Sequence, residues 1–374
     1  MKMNKNALVI LATPFYLDKG SSVRARSNII ALANAGLEID LLTYPVGNDY
    51  NINNVNHIRC KIPFYKKISA GPSLSKMYAD ILLFFKASFL IIRKKYDIII
   101  GEDFEGGFIG LVLSRLFKKD FIYEMYNPLC ETLRPYTNNT IVLNISKILD
   151  SFLEKNAKNI TVEWEYEKDR ILKKYSNKNV SLVYDAFPKE TKALQIFNRG
   201  KYIFYAGNFK DYQGIPFFLE SFKKYMDAGG FVYLILAGGN YKEVEKYAHK
   251  LKISEFVIFT ENLSLIETNY FIKNSLFCIL PRVIDGPPGM KALHYFSQGK
   301  PILATNLSCN SKLIENYKSG LLVEPNVDAM SKGIEKMVNE EEFRKSLEFY
   351  ILQEKIGTQE KANEGMQDLV LNLK

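Results

Sequence analysis

Along the chain, short runs of β-branched and aromatic residues alternate with longer stretches in which apolar positions recur every three or four residues. Ala7–Ala12 is apolar without alternation, as a strand buried on both faces requires. Lys19-Gly20-Ser21-Ser22 then reads as a turn. Val23–Ala35 repeats its apolar residues at helical spacing until Gly36 offers a C-terminal cap. Ile39–Thr43 returns as a strand, and further buried strands are expected at Asp97–Gly101, Phe121–Met125, Ile160–Val162 and Val180–Tyr184. The polar segment Phe187–Gly200 reads as a linker. The alternation restarts after it, with strands at Tyr202–Tyr205, Val232–Ala237, Phe256–Phe259, Leu276–Leu280, Pro301–Thr305 and Leu321–Val323. Ser264-Leu-Ile-Glu267 has the spacing of a capping box at a helix start. Such strand–helix–strand repetition predicts parallel sheets covered on both faces. The expected architecture is α/β: two doubly wound, Rossmann-like domains facing a central cleft that takes the ligand. Their expected bounds are residues 1–190 and 200–355, with a C-terminal helix over 356–374 packing back on the first domain.

Length agrees with two domains, since 374 residues exceed one domain of usual size. A composition of 47% hydrophobic and 24% charged residues excludes a mostly disordered or collagen-like chain. The longest apolar run, Ile81–Ile92, is interrupted by Lys86 and falls short of the ~20 residues of a spanning helix. Lys2 and Lys5 lead directly into a strand, without the small-residue cleavage site of a signal peptide. Cys60, Cys130, Cys278 and Cys309 show no CxxC spacing, so a reducing, cytoplasmic setting is expected.

Charge changes the picture of the first half. Residues 1–190 carry 27 Lys and Arg against 20 Asp and Glu, whereas the remainder carries 23 against 21. Arg59, Lys61, Lys66, Lys67, Lys76, Lys86, Arg93, Lys94 and Lys95 face only Asp80, with Leu82–Phe85 and Phe89–Ile92 threaded through them. This segment fits either a packed helix with a solvated basic rim or a peripheral contact with an anionic membrane. In the second case each near-surface Lys or Arg is worth about 1 kcal/mol. No RNP-type aromatic motif, zinc-finger spacing or recognition helix accompanies the charge, so nucleic acid is not an expected partner.

Three stretches can carry chemistry. Gly20, between the first strand and the first helix, places backbone N–H groups where an anion can bind. No GxGxxG follows that strand and no GxxxxGK[ST] occurs, which disfavours a nicotinamide dehydrogenase and a P-loop nucleotidase. The second stretch is Tyr205-Ala-Gly207-Asn208 with Tyr212-Gln213-Gly214. Its glycine allows close approach to the backbone and its amides can donate to phosphate or ribose, although a tight turn with surface amides looks the same. In the third, Leu280–Pro301, a loop with two Gly and two Pro precedes a helix starting near Gly289, a plausible diphosphate cradle. Lys291 adds a point charge there, and His294 follows on the same face. His57, His249 and His294 are the only histidines and are far apart, and neither Glu102-Asp103-Phe-Glu105 nor Glu163-Trp-Glu165-Tyr-Glu167 makes a metal site. The second of these acidic clusters reads as a solvated helix start.

Taken together, these motifs resemble the GT-B glycosyltransferases, and among them the retaining glycosyltransferase family 4 in a bacterial variant with altered donor-site motifs. The resemblance rests on the Gly20 turn, Tyr205–Gly214, Leu236-Ala-Gly238-Gly239, Gly289-Met-Lys291 through Gly299-Lys-Pro301, and Gly320-Leu-Leu-Val-Glu324-Pro325. It implies metal-independent transfer of a hexosyl-type sugar, with retention, from a nucleotide sugar, UDP-linked by preference. The acceptor would be a glycan or polyprenyl-linked molecule of lipopolysaccharide or capsule synthesis, met at the inner face of the cytoplasmic membrane. No cofactor is implied. By the same resemblance Lys291 and the amides of Gly289 and Met290 hold the diphosphate beside Gly207, Asn208 and Gln213, and His294 holds the ribose. Gly20 and Ser21 close over the phosphates, Asp285 contacts the sugar, and Glu105 and Tyr126 face the acceptor.

The chain departs from the family at several of these positions. Asn208 and Gln213 stand where typical members carry Arg and Lys on the diphosphate. Gly286 and His294 occupy the positions of two Glu eight residues apart, and Tyr126 that of a common His. A degenerate GT-B scaffold subunit and a GT-B sugar-nucleotide epimerase are the alternatives these departures leave.

Overall fold

The computed structural model describes residues 5–15, 20–48, 50–63, 73–134, 136–194, 200–286 and 288–373. Lys19, Lys66, Lys67, Pro287 and the end of the expected linker, 195–199, lie outside the described residues. The chain forms two compact units, one of residues 1–186 with 359–374 and one of residues 187–358.

The first unit runs β1 (Lys5–Leu11), α1 (Gly20–Asn34), β2 (Leu37–Thr43), β3 (Val55–Arg59), α2 (Leu74–Arg93), β4 (Ile98–Glu102) and α3 (Asp103–Phe117). It continues with β5 (Asp120–Glu124), α4 (Leu129–Leu133), α5 (Thr140–Asn156), β6 (Asn159–Val162), α6 (Glu165–Lys174) and β7 (Asn179–Leu182). The second unit runs β8 (Tyr202–Ala206), α7 (Ile215–Asp227), β9 (Tyr233–Ala237), α8 (Lys242–Lys250), β10 (Val257–Thr260), α9 (Leu265–Asn274) and β11 (Cys278–Leu280). Then follow α10 (Lys291–Ser297), β12 (Ile302–Thr305), α11 (Ser308–Ser311), β13 (Gly320–Val323), α12 (Val327–Asn339) and α13 (Glu341–Glu354). The last helix, α14 (Gln359–Leu371), belongs to the first unit.

Both sheets are parallel, ordered β3-β2-β1-β4-β5-β6-β7 and β10-β9-β8-β11-β12-β13. The continuously apolar strands are the central ones: Ala7–Leu11 and Ile98–Ile100 are fully buried because helices cover both faces. On one side α1 and α14 contribute Ile29, Leu32, Met366 and Val370, packed against Val9, Ile100 and Ile122. On the other, Leu83 of α2, Ile109 of α3 and Leu153 of α5 pack on Ile99, Tyr123 and Ile160.

Three expectations need correction. The turn read at Gly20–Ser22 is already the first turn of α1. β3 was not foreseen, because an edge strand of half-buried polar residues is held by its backbone pairing to β2 rather than by an apolar run. The acidic stretch is the start of α6 as expected, with Glu165 exposed, but it is not solvated throughout: Glu163 and Glu167 are buried, Glu163 beside Arg24 and Glu167 bonded to Arg170 at 2.7 Å. The capping box at Ser264 is formed, with Glu267 reaching back to the Ser264 amide.

Arg24 ties α1 to the carboxyl edge of the first sheet. Its Nη1 donates to Asp185 Oδ1 at 2.7 Å and lies 3.4 Å from Glu163 Oε2; its Nη2 donates to the Met125 carbonyl at 3.2 Å. Glu102 and Glu124, at the ends of β4 and β5, are buried in the same region. One guanidinium cannot neutralise four carboxylates in a dry site, so protons must stay. Burial, then the charge of Glu124, holds Glu102 well above the carboxylate range; burial, then Asp185, does the same for Glu163. Glu124 is pushed up to about 7 by burial, against the pull of Arg24. Glu102 Oε1, Glu124 Oε1, Glu163 Oε1 and Asp185 Oδ2 are buried without a hydrogen-bond donor, as oxygens that retain a proton would be.

These folded values are raised, so the stability the carboxyls contribute is complete in acid and is lost as pH rises through about 7. Arg24→Met is therefore expected to cost about 3–5 kcal/mol at neutral pH and clearly less at pH ~5, where the carboxyls are protonated. Urea denaturation at the two pH values checks this; equal losses would mean that the guanidinium acts by packing alone.

Candidate functional site

In the second unit the strand order reverses between β8 and β11, which opens a crevice at their carboxyl ends. The loops leaving these two strands, 207–214 and 281–290, are the two Gly-containing stretches singled out in the sequence. Lys291, the first residue of α10, donates from Nζ to Tyr205 Oη at 2.8 Å and to Gln213 Oε1 at 3.0 Å, and lies 4.4 Å above the Tyr205 ring. Tyr205 Oη in turn donates to the Asn208 carbonyl at 2.7 Å. Gly207 is what lets the lysine through: it sits at φ +152°, and a Cβ there would fall 2.3 Å from Lys291 Nζ.

Among the described residues Lys291 forms no ion pair. Burial, reinforced by the charge of Arg282, lowers its ammonium to about 7. Keeping the charged form in place costs on the order of 4 kcal/mol. A lysine so enclosed without a carboxylate is arranged for an anion that arrives from outside. Arg282 was not anticipated; its one sequence signal is its position just past β11. It lies 5.4 Å from the centroid of the Tyr212 ring.

The other expected donor residues divide into two groups. Gln213 is buried on Lys291, whereas the Asn208 side chain is exposed and closes its own loop by accepting from the Lys210 amide at 3.3 Å. Gly289 and Met290 form the turn entering α10. The Asp285 side chain is exposed but anchored, its Oδ1 accepting from the amides of Cys309 at 2.7 Å and Gly286 at 3.0 Å. Desolvation is the largest single influence and pushes the carboxyl up, but the bonds from Cys309 and Gly286, helped by the charge of Lys312, together outweigh it and hold it below the usual range.

His294 stacks on Phe187 with ring centroids 4.4 Å apart, and its Nε2 is 2.6 Å from Asn269 Oδ1. Asn269 Nδ2 donates to the carbonyls of Pro188 and Glu190, which turns its Oδ1 toward the histidine. Nε2 therefore carries the proton and Nδ1 is an acceptor. Burial lowers the imidazole to about 3, so it stays neutral. Gly238 touches the site, since a Cβ on it would lie 2.0 Å from the Gly207 carbonyl oxygen. Beyond it, Gly239, Tyr241 and Asn262 line a polar cavity of about 610 Å³.

In the first unit Gly20 and Ser21 open α1, with Ser21 exposed. Tyr126 is not placed to face an acceptor. It is buried, its Oη donates to Glu102 Oε2 at 2.5 Å, and Arg24 lies 4.7 Å over its ring, so it belongs to the internal network. Glu105 pairs with Lys76 at 2.5 Å on the wall of a mostly apolar cavity of about 380 Å³, lined also by Asp80, Phe104, Phe108 and Leu129. Burial raises Asp80 and Asp103 to about 6, and Asp103 sits at φ +60°, a strained position for a non-glycine residue. Among the described residues no group of three or more His, Cys, Asp or Glu gathers as a metal ion would need.

Residues 175–352 match the family model described as Glycosyl transferases group 1, a span that contains the whole Lys291 site. No curated protein matches the sequence. Sucrose-phosphate synthase from Thermosynechococcus elongatus is similar in structure, with TM-score 0.73 and 15% identity over 99% of this chain and 98% of that one. Anabaena HepE in complex with UDP gives 0.69 and 12% over 99% and 100%. WaaG, a glycosyltransferase involved in lipopolysaccharide biosynthesis, gives 0.62 and 11% over 96% and 98%. At such identities the likeness establishes the GT-B fold of two Rossmann-like units. With the family match, it supports a glycosyltransferase.

A depressed lysine penalises its charged form fully below about 7, and the penalty fades as pH climbs toward the ordinary lysine value. Lys291→Met is therefore expected to stabilise the ligand-free protein by about 1–4 kcal/mol, more at pH ~6 than at pH ~9. Differential scanning calorimetry at both values tests it; a destabilised variant would make Lys291 a structural residue.

Proposed function

We propose that the protein is a retaining, metal-independent glycosyltransferase that takes a sugar from a nucleotide-sugar donor, UDP-linked by preference, held on the second unit. The observation that carries this reading is the enclosed Lys291 ammonium, supported by Tyr205 and Gln213 and with no carboxylate partner among the described residues. A diphosphate supplies the missing charge, and charge-assisted bonds of this kind are worth roughly 1.5–3 kcal/mol each. The similar fold of UDP-bound HepE supports the choice of nucleotide. His294 Nδ1 accepts from a ribose hydroxyl in place of a carboxylate, and the polar cavity beside Gly239 gives the nucleoside room. Asp285, kept ionised, accepts from hydroxyls of the transferred sugar.

Lys291 stabilises the negative charge that grows on the diphosphate as the anomeric C–O bond breaks. The departing phosphate oxygen then takes the proton of the attacking acceptor hydroxyl on the same face, which gives retention. Glu105 and the apolar cavity beside it suit the acceptor end, and their lining fits a lipid-linked glycan of bacterial surface polysaccharide synthesis. An epimerase reading is less well supported, because the Nε2 proton of His294 is held by Asn269 and burial keeps the imidazole neutral, so it is no proton donor.

Calorimetric titration with UDP and with GDP is the test. One nucleotide is expected to bind saturably, and Lys291→Ala to weaken it at least tenfold, ~1.4 kcal/mol. Because the free lysine is neutral above about 7 and the bound one is charged, binding takes up a proton there and affinity falls as pH rises. A folded protein that binds neither nucleotide would be a scaffold subunit.

A further inference from the structure

The helices α2, α3 and α5 cover one side of the first unit's sheet, and α3 packs on both neighbours. A helix so placed needs one apolar stripe and ordinarily turns charge outward. Each of these three carries a second apolar stripe. On α2, Leu74, Tyr78, Ile81, Phe85 and Ile92 are exposed at helical spacing, opposite the buried Ala79, Leu83, Ala87 and Ile91. Phe108, Val112 and Leu116 repeat every four residues on α3, and Ile141, Ile145, Ile148 and Phe152 do so at three- and four-residue steps on α5. Ile92 is 73% exposed, Leu116 66% and Ile148 67%, so these are not rim atoms of the core. The stripes meet: the rings of Phe108 and Phe152 have centroids 6.4 Å apart, and Met77 shares the 380 Å³ cavity with Phe108. A continuous apolar surface across three helices marks an interaction face.

Charge says what covers it. Every fully exposed charged residue on the three helices is basic: Arg93, Arg115, Lys147 and Lys155. Their acids are withdrawn, with Asp150 and Glu154 buried and Asp80, Asp103 and Glu105 half-buried. Arg93 and Lys86 lie over the Phe89 ring at 4.3 and 5.3 Å, apolar stems on the surface and charged heads outward. A second copy would oppose the same basic rim to itself, whereas acidic headgroups above acyl chains match both features. We propose that the α2–α3–α5 face lies on an anionic lipid bilayer, its apolar stripes at the acyl boundary and its basic side chains among the headgroups. No helix among the described residues is long and apolar enough to cross a membrane, so the contact is peripheral. This inference stands apart from the donor site, which lies in the other unit.

Flotation of the full chain with vesicles of phosphatidylcholine, alone or mixed with phosphatidylglycerol, tests it. Binding is expected to the anionic vesicles only and to weaken with salt. The pairs Arg115→Glu/Lys147→Glu and Phe85→Ser/Ile148→Ser should each lower it at least tenfold, ~1.4 kcal/mol, with circular dichroism and thermal midpoint showing that both variants fold. Three results would overturn the proposal: wild-type protein left unbound by anionic vesicles, equal binding to neutral ones, or a stable dimer in light scattering that Phe85→Ser/Ile148→Ser dissolves.

Discussion

Among the described residues the charge of Lys291 has no carboxylate to answer it, and most of the local design around it follows from that. The lysine can reach Tyr205 only because position 207 lacks a Cβ, and Tyr205 is held in turn by the Asn208 carbonyl. Both loops must leave the sheet side by side, which the reversal of strand order between β8 and β11 provides. Gln213 presents an oxygen to the ammonium where an acid would have neutralised it. An amide satisfies the donor's geometry without cancelling its charge, so the cation stays available to a ligand at the expense of folding stability.

The first unit handles buried charge in the opposite way. Around Arg24 there are too many carboxyls rather than too few, and burial with mutual repulsion raises Glu102 and Glu163 so that they hold their protons. A network closed on itself fixes α1 and the ends of four strands, and it absorbs Tyr126 as a structural member. Among the described residues, Lys291 of the second unit is the lysine whose ammonium burial lowers furthest, to about 7, with no carboxylate paired to it.

Much of this was legible in the sequence wherever one local signal sufficed. Continuous apolar runs such as Ala7–Leu11 could only be central parallel strands, and Gly207, Gln213 and Lys291 stood out as members of Gly-rich loops after strands. What stayed hidden depended on distant pairing. Arg24 and Asp185 are 161 positions apart, and nothing near either residue announces the other. Tyr126 is expected in the site only because it occupies the family position of a common His, and its bond to Glu102 shows that its hydroxyl is spent. Asn269 decides the tautomer of His294 from another helix, and β3 has no apolar run to betray it.

The outward face of α2 shows a subtler limit of periodicity. Its apolar residues lie on two opposite sides, Leu83 and Ala87 toward the sheet and Ile81 and Phe85 away from it, so the stretch Ile81–Ile92 looks uniformly apolar rather than amphipathic. Only the fold separates the two sides, by spending one of them on Ile99 and Tyr123. The remaining side is not needed for packing, and leaving it in water forfeits roughly 1.5–3 kcal/mol for each large side chain that could have been buried. The same surplus recurs on α3 and α5, with exposed charge of a single sign around it. Three independent helices would not carry that cost on one contiguous surface unless a further apolar phase, bordered by negative charge, completed the burial.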